Sequence, residues 1–155
     1  MRVLETFLEA VNQHLDGLST ARENDRAELA IDRERRNPWA HHALAHIHTR
    51  RGDPAAGIAL LEDLMDTWYQ SGSAIRVHNF WHLALLYLDK LDSAAATRLH
   101  REEVFVRDRE VVGTQIDTIS LLWHMELAGE EITDAWGSIA DACEARAGDF
   151  TIPFI

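Results

Sequence analysis

The sequence predicts an all-α protein, a stack of antiparallel helix pairs, and three observations carry that reading. Apolar residues recur at three-four spacing in segment after segment, which places them along one face of a helix. The segments are punctuated regularly, with the acidic turn residues Asp53, Asp92 and Glu131 falling 39 residues apart. No stretch alternates apolar and polar residues at the period of two that a half-buried strand requires.

Taken in order, Val3, Leu4, Phe7, Leu8, Val11 and Leu15 predict a helix over 2–17 that stops at Gly17. An Ala-, Glu- and Arg-rich segment predicts the next over 20–36, ended by Asn37-Pro38, where Asn caps a new helix and Pro enters its first turn. That helix runs from 38 to about 51, Gly52-Asp53-Pro54 turns the chain, and a partner follows over 55–70 until Gly72 and Ser73. The unit then repeats, with helices over 74–90 and 93–110 around Leu91-Asp92, and over 114–128 and 133–146 around Gly129-Glu130-Glu131. Helix pairs over 2–36, 38–70, 74–110 and 114–146 within one domain, 1–155, read as a tetratricopeptide-like right-handed α-solenoid whose period slightly exceeds the usual 34 residues or so.

Composition narrows the function. Apolar residues make up 46% of the 155 and charged residues 26%, a globular balance with enough apolar surface for one core. A net charge of -11 leaves no basic stripe to displace counterions, so neither nucleic acid nor an anionic membrane surface is an expected partner. The basic run Arg33, Arg35 and Arg36 is interleaved with Asp32 and Glu34 and reads as a solvated helix end. Cys143 stands alone, which excludes an internal disulfide or a Cys-rich zinc site and fits a reducing cytoplasm. The acidic residues near the N-terminus argue against a signal peptide, and no apolar run is long enough to span a membrane.

The histidines carry the chemistry. His42 and His46 in NPWAHHALAHIH, and His78 and His82 in VHNFWH, are spaced four apart, so each pair presents two imidazoles on one helix face. Two such helices side by side offer four nitrogens, as metal-binding bundles do. The helix over 74–90 is apolar nearly all round, which predicts that His78 and His82 are buried and must use both ring nitrogens. In the helix over 38–51 the expected core face is Trp39, Ala43, Leu44 and Ile47, with His42 and His46 on one edge and His41 and His48 toward the other.

Facing pairs would suit Zn, Fe, Cu or Ni through neutral imidazole, with Asp117 as a further ligand or as a carboxylate that orients one ring. The alternative is a buried polar network in which each imidazole is satisfied by a neighbour. Neither a Glu-x-x-His nor an HExxH pattern is present, which removes ferritin-like di-iron centres and the common zinc proteases. Most of Trp39, Trp68, Trp81, Trp123 and Trp136 are expected in the core, with Trp39, Trp81 and the hydrogen-bonding Asn79 as candidate pocket residues. Cys143 is expected in the core, and His14 and His100 at the surface.

The segments NPWAHHALAHIHTRRGD, HNFWHLAL and IDTISLLWHMELAGE resemble, in order and spacing, the central-to-C-terminal part of the tetratricopeptide repeat protein 38 family. There the pattern is close to (D/N)PWAxHAxAHxH, then HNxWHxAL, then D(V/T)xS entering a helix. The likeness spans about residues 27–150. It implies functional weight for Pro38, Trp39, His42, His46, His48, His78, Asn79, Trp81, His82 and Asp117, with His48 and Asp117 as candidate catalytic groups. Members of the family are longer and continue past the equivalent of residue 155 into an Asn-Asp-x-His segment. A site using that later histidine would be incomplete or completed by another chain, and a homodimer would also cover the ends of the stack.

Two functions are therefore expected to compete. One is a small-molecule enzyme or binding protein with a metal-dependent site at His42, His46, His78 and His82, or with the same imidazoles as general acid and base near neutral pH. The other is a tetratricopeptide-type scaffold that holds a protein partner, with the histidines as a buried polar network.

Overall fold

Short polar caps decide where the helices begin. The computed structural model describes residues 20–105 and 109–144, so the helix expected over 2–17, with His14, lies outside the described residues. After α1 (Thr20–Arg33), the Asn37 side chain accepts hydrogen bonds from the backbone N–H groups of Trp39 at 3.1 Å and Ala40 at 3.4 Å, and α2 (Pro38–Arg51) starts. It ends at Gly52, whose φ of 63° lies in the left-handed region and whose N–H returns to the carbonyls of His48 and Thr49.

Asp53 then accepts from the N–H of Ala56 to start α3 (Pro54–Leu64). Asp92 repeats this with the N–H of Ala95 after α4 (Ser73–Asp89), starting α5 (Ser93–Leu99). The third turn is built differently: α6 (Val112–Leu127) is followed by α7 (Thr133–Glu144), which begins two residues after Glu131.

Two predicted helices change their winding partway. The segment expected to continue to residue 70 tightens into a 3-10 helix over Met65–Gln70. Three residues per turn instead of 3.6 re-aim its side chains. Trp68 is carried to complete burial, where its indole N–H donates to His41 Nδ1 at 2.8 Å. The helix expected over 93–110 widens into a π-helical segment over His100–Val104, which turns both end residues into the core. His100 is thus buried rather than at the surface, its ring stacked on Phe105 with centroids 5.6 Å apart.

α4 is the centre of the packing, touching α2, α3, α5 and α6. That is why it is apolar nearly all round: Val77, Phe80, Leu83, Ala84 and Leu86 are all buried there. The first helices of successive pairs, α2, α4 and α6, lie against one another in that order, while α1 packs on α2 and α7 on α6. At Gly57 in α3 an added Cβ would stand 2.9 Å from His48 Cβ and from Leu86 Cδ1, so α2, α3 and α4 approach closely there. The described residues contain no strand and no helix long and apolar enough to cross a membrane.

The tryptophans divide. Trp68 is core, and Trp81 and Trp136 pack partly buried against core clusters, but Trp39 is 64% exposed and Trp123 58% exposed. Trp39 sits in the first turn of α2, at the open end of the helix. The buried face of α2 is instead Ala40, His41, Leu44, Ala45 and Ile47. Cys143 is half-buried against the cluster of Phe105, Leu122 and Ile139.

Candidate metal centre

Helix periodicity places His42 and His46 one turn apart on α2, and His78 and His82 likewise on α4. The two helices pack against each other, and a part-buried hydrogen bond ties them at one end. The Asn79 side-chain NH₂ donates to the Pro38 carbonyl at 3.1 Å, fastening the start of α4 to the first turn of α2. Asn79 is fully buried, and its Nδ2 bond helps fix the register of the two helices while its Oδ1 has no partner.

The four imidazoles then converge. Ring centroids are separated by 4.5 Å for His42 and His46, 4.4 Å for His46 and His82, 4.8 Å for His78 and His82, and 4.9 Å for His42 and His78. One nitrogen from each ring can be chosen so that all four lie within 4.8 Å of one another. The Nε2 atoms of His42 and His46 are 2.9 Å apart. A tetrahedral ion with bonds of about 2.0–2.1 Å has nitrogen-nitrogen edges of about 3.4 Å, so small ring rotations would close this set around a cation.

The surroundings orient His78 and lower the proton affinity of the other three rings. His78 Nδ1 lies 3.0 Å from Asp117 Oδ1 and 3.2 Å from Oδ2. With Nδ1–H donating to the carboxylate, the Nε2 lone pair is left for the cluster. Asp117 comes from α6, is itself buried, and follows His78 by the same 39 residues that separate the turns. Burial, reinforced by the neighbouring imidazoles, pushes His82 down to about 2 and His42 down to about 4. His46 is also lowered, by burial first and then by the charges of His78 and Arg50.

His82 Nε2 is buried and has no hydrogen-bond partner. An unpartnered buried nitrogen of this kind is costly, on the order of 1–3 kcal/mol, and it belongs to one of the four clustered histidines. Exposure is graded across the set: His82 is buried, His42 and His78 are half-buried and His46 is exposed. The expectation that both α4 histidines are buried thus holds for His82, while the His78 side chain keeps 31% of its accessible surface. The cluster opens to solvent on the His46 side. Trp81 stacks on His78 at 5.0 Å, and the exposed Trp39 stands edge-on to His42 at 6.1 Å.

His48 is not brought to this cluster. It points to the opposite side of α2, against Gly57, and lines a hollow with Glu28, Ile31, Asp32, Leu44, Ala56 and Leu60. His41 serves the core instead: Nδ1 accepts from Trp68, and Nε2 lies 2.9 Å from the Arg35 carbonyl. His124 is exposed, with Nδ1 held by the Ser120 carbonyl at 2.7 Å. Sequence reading did not single out Arg50, which lies one turn beyond His46 on α2, is exposed, and adds its charge to the lowering of His46.

No protein-family model matches the chain. No solved structure matches it at significant similarity either.

Proposed function

We propose that this protein is a small-molecule enzyme or binding protein built around a divalent transition-metal centre. His42, His46, His78 and His82 are its ligands, and Asp117 orients His78 from behind. The observation that carries the reading is the convergence of four imidazole nitrogens within 4.8 Å of one another, with His82 buried among the four residues.

Neutral imidazole donors suit Zn, Fe, Cu or Ni rather than Mg or Ca. An ion that kept a further position open beside these donors would act as a Lewis acid and acidify bound water. The residues do the rest: α2 and α4 hold the imidazoles apart at ligand spacing, Asp117 fixes the His78 tautomer, and Trp81 walls the centre on one side. The contacts of α2 with α4 and of α4 with α6 support the tetratricopeptide-like stack. The motifs at Pro38, Trp39, His42, His46, His78, Asn79, Trp81, His82 and Asp117 support kinship with the tetratricopeptide repeat protein 38 family.

The test is elemental analysis of untagged protein by plasma mass spectrometry, beside the His42→Ala/His78→Ala variant, with circular dichroism to confirm that both fold. Stoichiometric Zn, Fe, Cu or Ni that is absent from the folded variant is the expected result. A wild-type protein that takes up none of the four, even after incubation with each, overturns the reading.

A scaffold role draws on a different surface. Ile116, Ile119, Trp123 and Leu127 form an exposed apolar stripe on α6, the kind of face that covers a partner or a second copy of the chain. Light scattering at micromolar concentration tests the homodimer, and a monomer would exclude it.

A further inference from the structure

We propose that His46 is the exchangeable ligand of the histidine centre: His42, His78 and His82 keep the ion, and a small molecule with a nitrogen or oxygen donor atom binds by taking the place of His46. This role rests on the metal centre proposed above and adds to it where a substrate meets the ion and which side chain makes way.

Four imidazoles around one ion make a closed set of the structural kind, whereas a reactive centre keeps three protein ligands and one position for water or substrate. The four rings here are not equivalent. His78 is held from behind by Asp117, at 3.0 and 3.2 Å from Nδ1, and is stacked on Trp81 with ring centroids 5.0 Å apart. His82 is buried, with its centroid 4.7 Å from that of Trp81. His42 is half-buried, with the other three imidazoles and Trp39 around it. His46 is the exposed member of the set. Among the described residues its ring packs on His42 and His82, both members of the cluster, and its hydrogen-bond contact, at 2.9 Å, is with His42 Nε2. No carboxylate or indole among those residues holds it from outside, as Asp117 and Trp81 hold His78.

The cost of release follows from these surroundings. An imidazole that leaves an ion must find other partners for its nitrogens or lose free energy. His46 turns into water, which supplies them. An exposed side chain changes rotamer in picoseconds to nanoseconds, so no movement of α2 is needed, and the freed side chain regains rotamer entropy. His82 would stay in the core, where its Nε2 stands without a partner. His78 would have to break its contact with Asp117.

The exchange is a plain substitution. The bond between the ion and the His46 nitrogen breaks, a bond between the ion and the donor atom of the incoming molecule forms, the imidazole departs neutral with its electron pair, and no redox change occurs. The cluster meets solvent on the His46 side, so the ring that leaves uncovers the path by which the ligand enters.

The test uses the full chain loaded with Co(II), whose visible absorption reports the number and kind of its ligands, titrated with azide beside His46→Ala. This variant removes an exposed side chain and keeps a strong helix former, and circular dichroism checks its fold. Stoichiometric cobalt is expected in both proteins. Azide is expected to change the wild-type spectrum saturably while the strong absorption of a four-coordinate ion is retained. It should bind His46→Ala about tenfold more tightly, because no ligand has to leave first. The azide-saturated spectra of the two proteins should coincide, since both then present the same three imidazoles and azide. A cobalt-loaded wild type that ignores azide overturns this inference and leaves the metal centre standing. So does a folded His46→Ala that does not retain cobalt, and so do azide-saturated spectra that differ, because His46 would then still be bound. Wild-type protein that takes up neither cobalt nor zinc overturns the metal reading and this one with it.

Discussion

Replacing Asp117 grades the metal affinity in a way that separates charge from geometry. Its carboxylate faces His78 Nδ1 at 3.0 and 3.2 Å, so it supplies both an acceptor that fixes the tautomer and a charge that makes the far nitrogen a better donor. Asp117→Asn keeps an acceptor oxygen of the same size and removes the charge, whereas Asp117→Ala removes both. Outer partners of this kind are worth about 10–100-fold in metal affinity. We expect Asp117→Asn to weaken Zn²⁺ binding about tenfold and Asp117→Ala about a hundredfold, that is about 1.4 and 2.7 kcal/mol. Competition against a chromophoric chelator measures both, with thermal melts of the metal-free proteins as the check on folding. Equal affinity in all three proteins would refute the reasoning, because His78 would then not depend on Asp117 for its orientation.

Three further outcomes are expected. Burial pushes His82 to about 2, and His42 and His100 to about 4, below the roughly 6.5 of a free imidazole. The unfolded chain then binds protons that the folded chain refuses, so stability present above about pH 6.5 is lost as pH falls toward 4. In chelated protein the urea midpoint should drop between pH 7 and 4.5 and drop less steeply in His100→Phe; a level midpoint contradicts this. His41→Ala should cost about 3 kcal/mol in urea titration, since it empties a fully buried site and orphans the Trp68 N–H, while His41→Phe, which fills the space, should cost less; no loss in His41→Ala counts against the His41–Trp68 bond. Leu91 is 88% exposed with a φ of 61°, where the equivalent turn uses Gly52, so Leu91→Gly should raise stability by about 0.5–1 kcal/mol in thermal melts; a lower melting temperature would show that the strain is not there.

The sequence by itself determined the helical class and most helix starts and stops, because those signals are local. Asn37, Asp53 and Asp92 each satisfy backbone donors two or three residues away, and Gly52 takes a backbone conformation that other residues resist. The two histidine pairs were legible for the same reason, since a spacing of four already defines a shared helix face.

Which face meets which neighbour was decided only by the tertiary structure. Helical periodicity says nothing about it, so the meeting of the two pairs, the Asn79–Pro38 bond beside them, and the reach of Asp117 from α6 to His78 appear only in the packed chain. The same holds for the reversals. Trp39 and His100 exchange their expected places, and the helices after Leu64 and Leu99 change winding where they turn Trp68, His100 and Val104 into the core. Local propensity cannot anticipate these changes, because what selects them is the apolar area and the hydrogen bonds gained against distant segments.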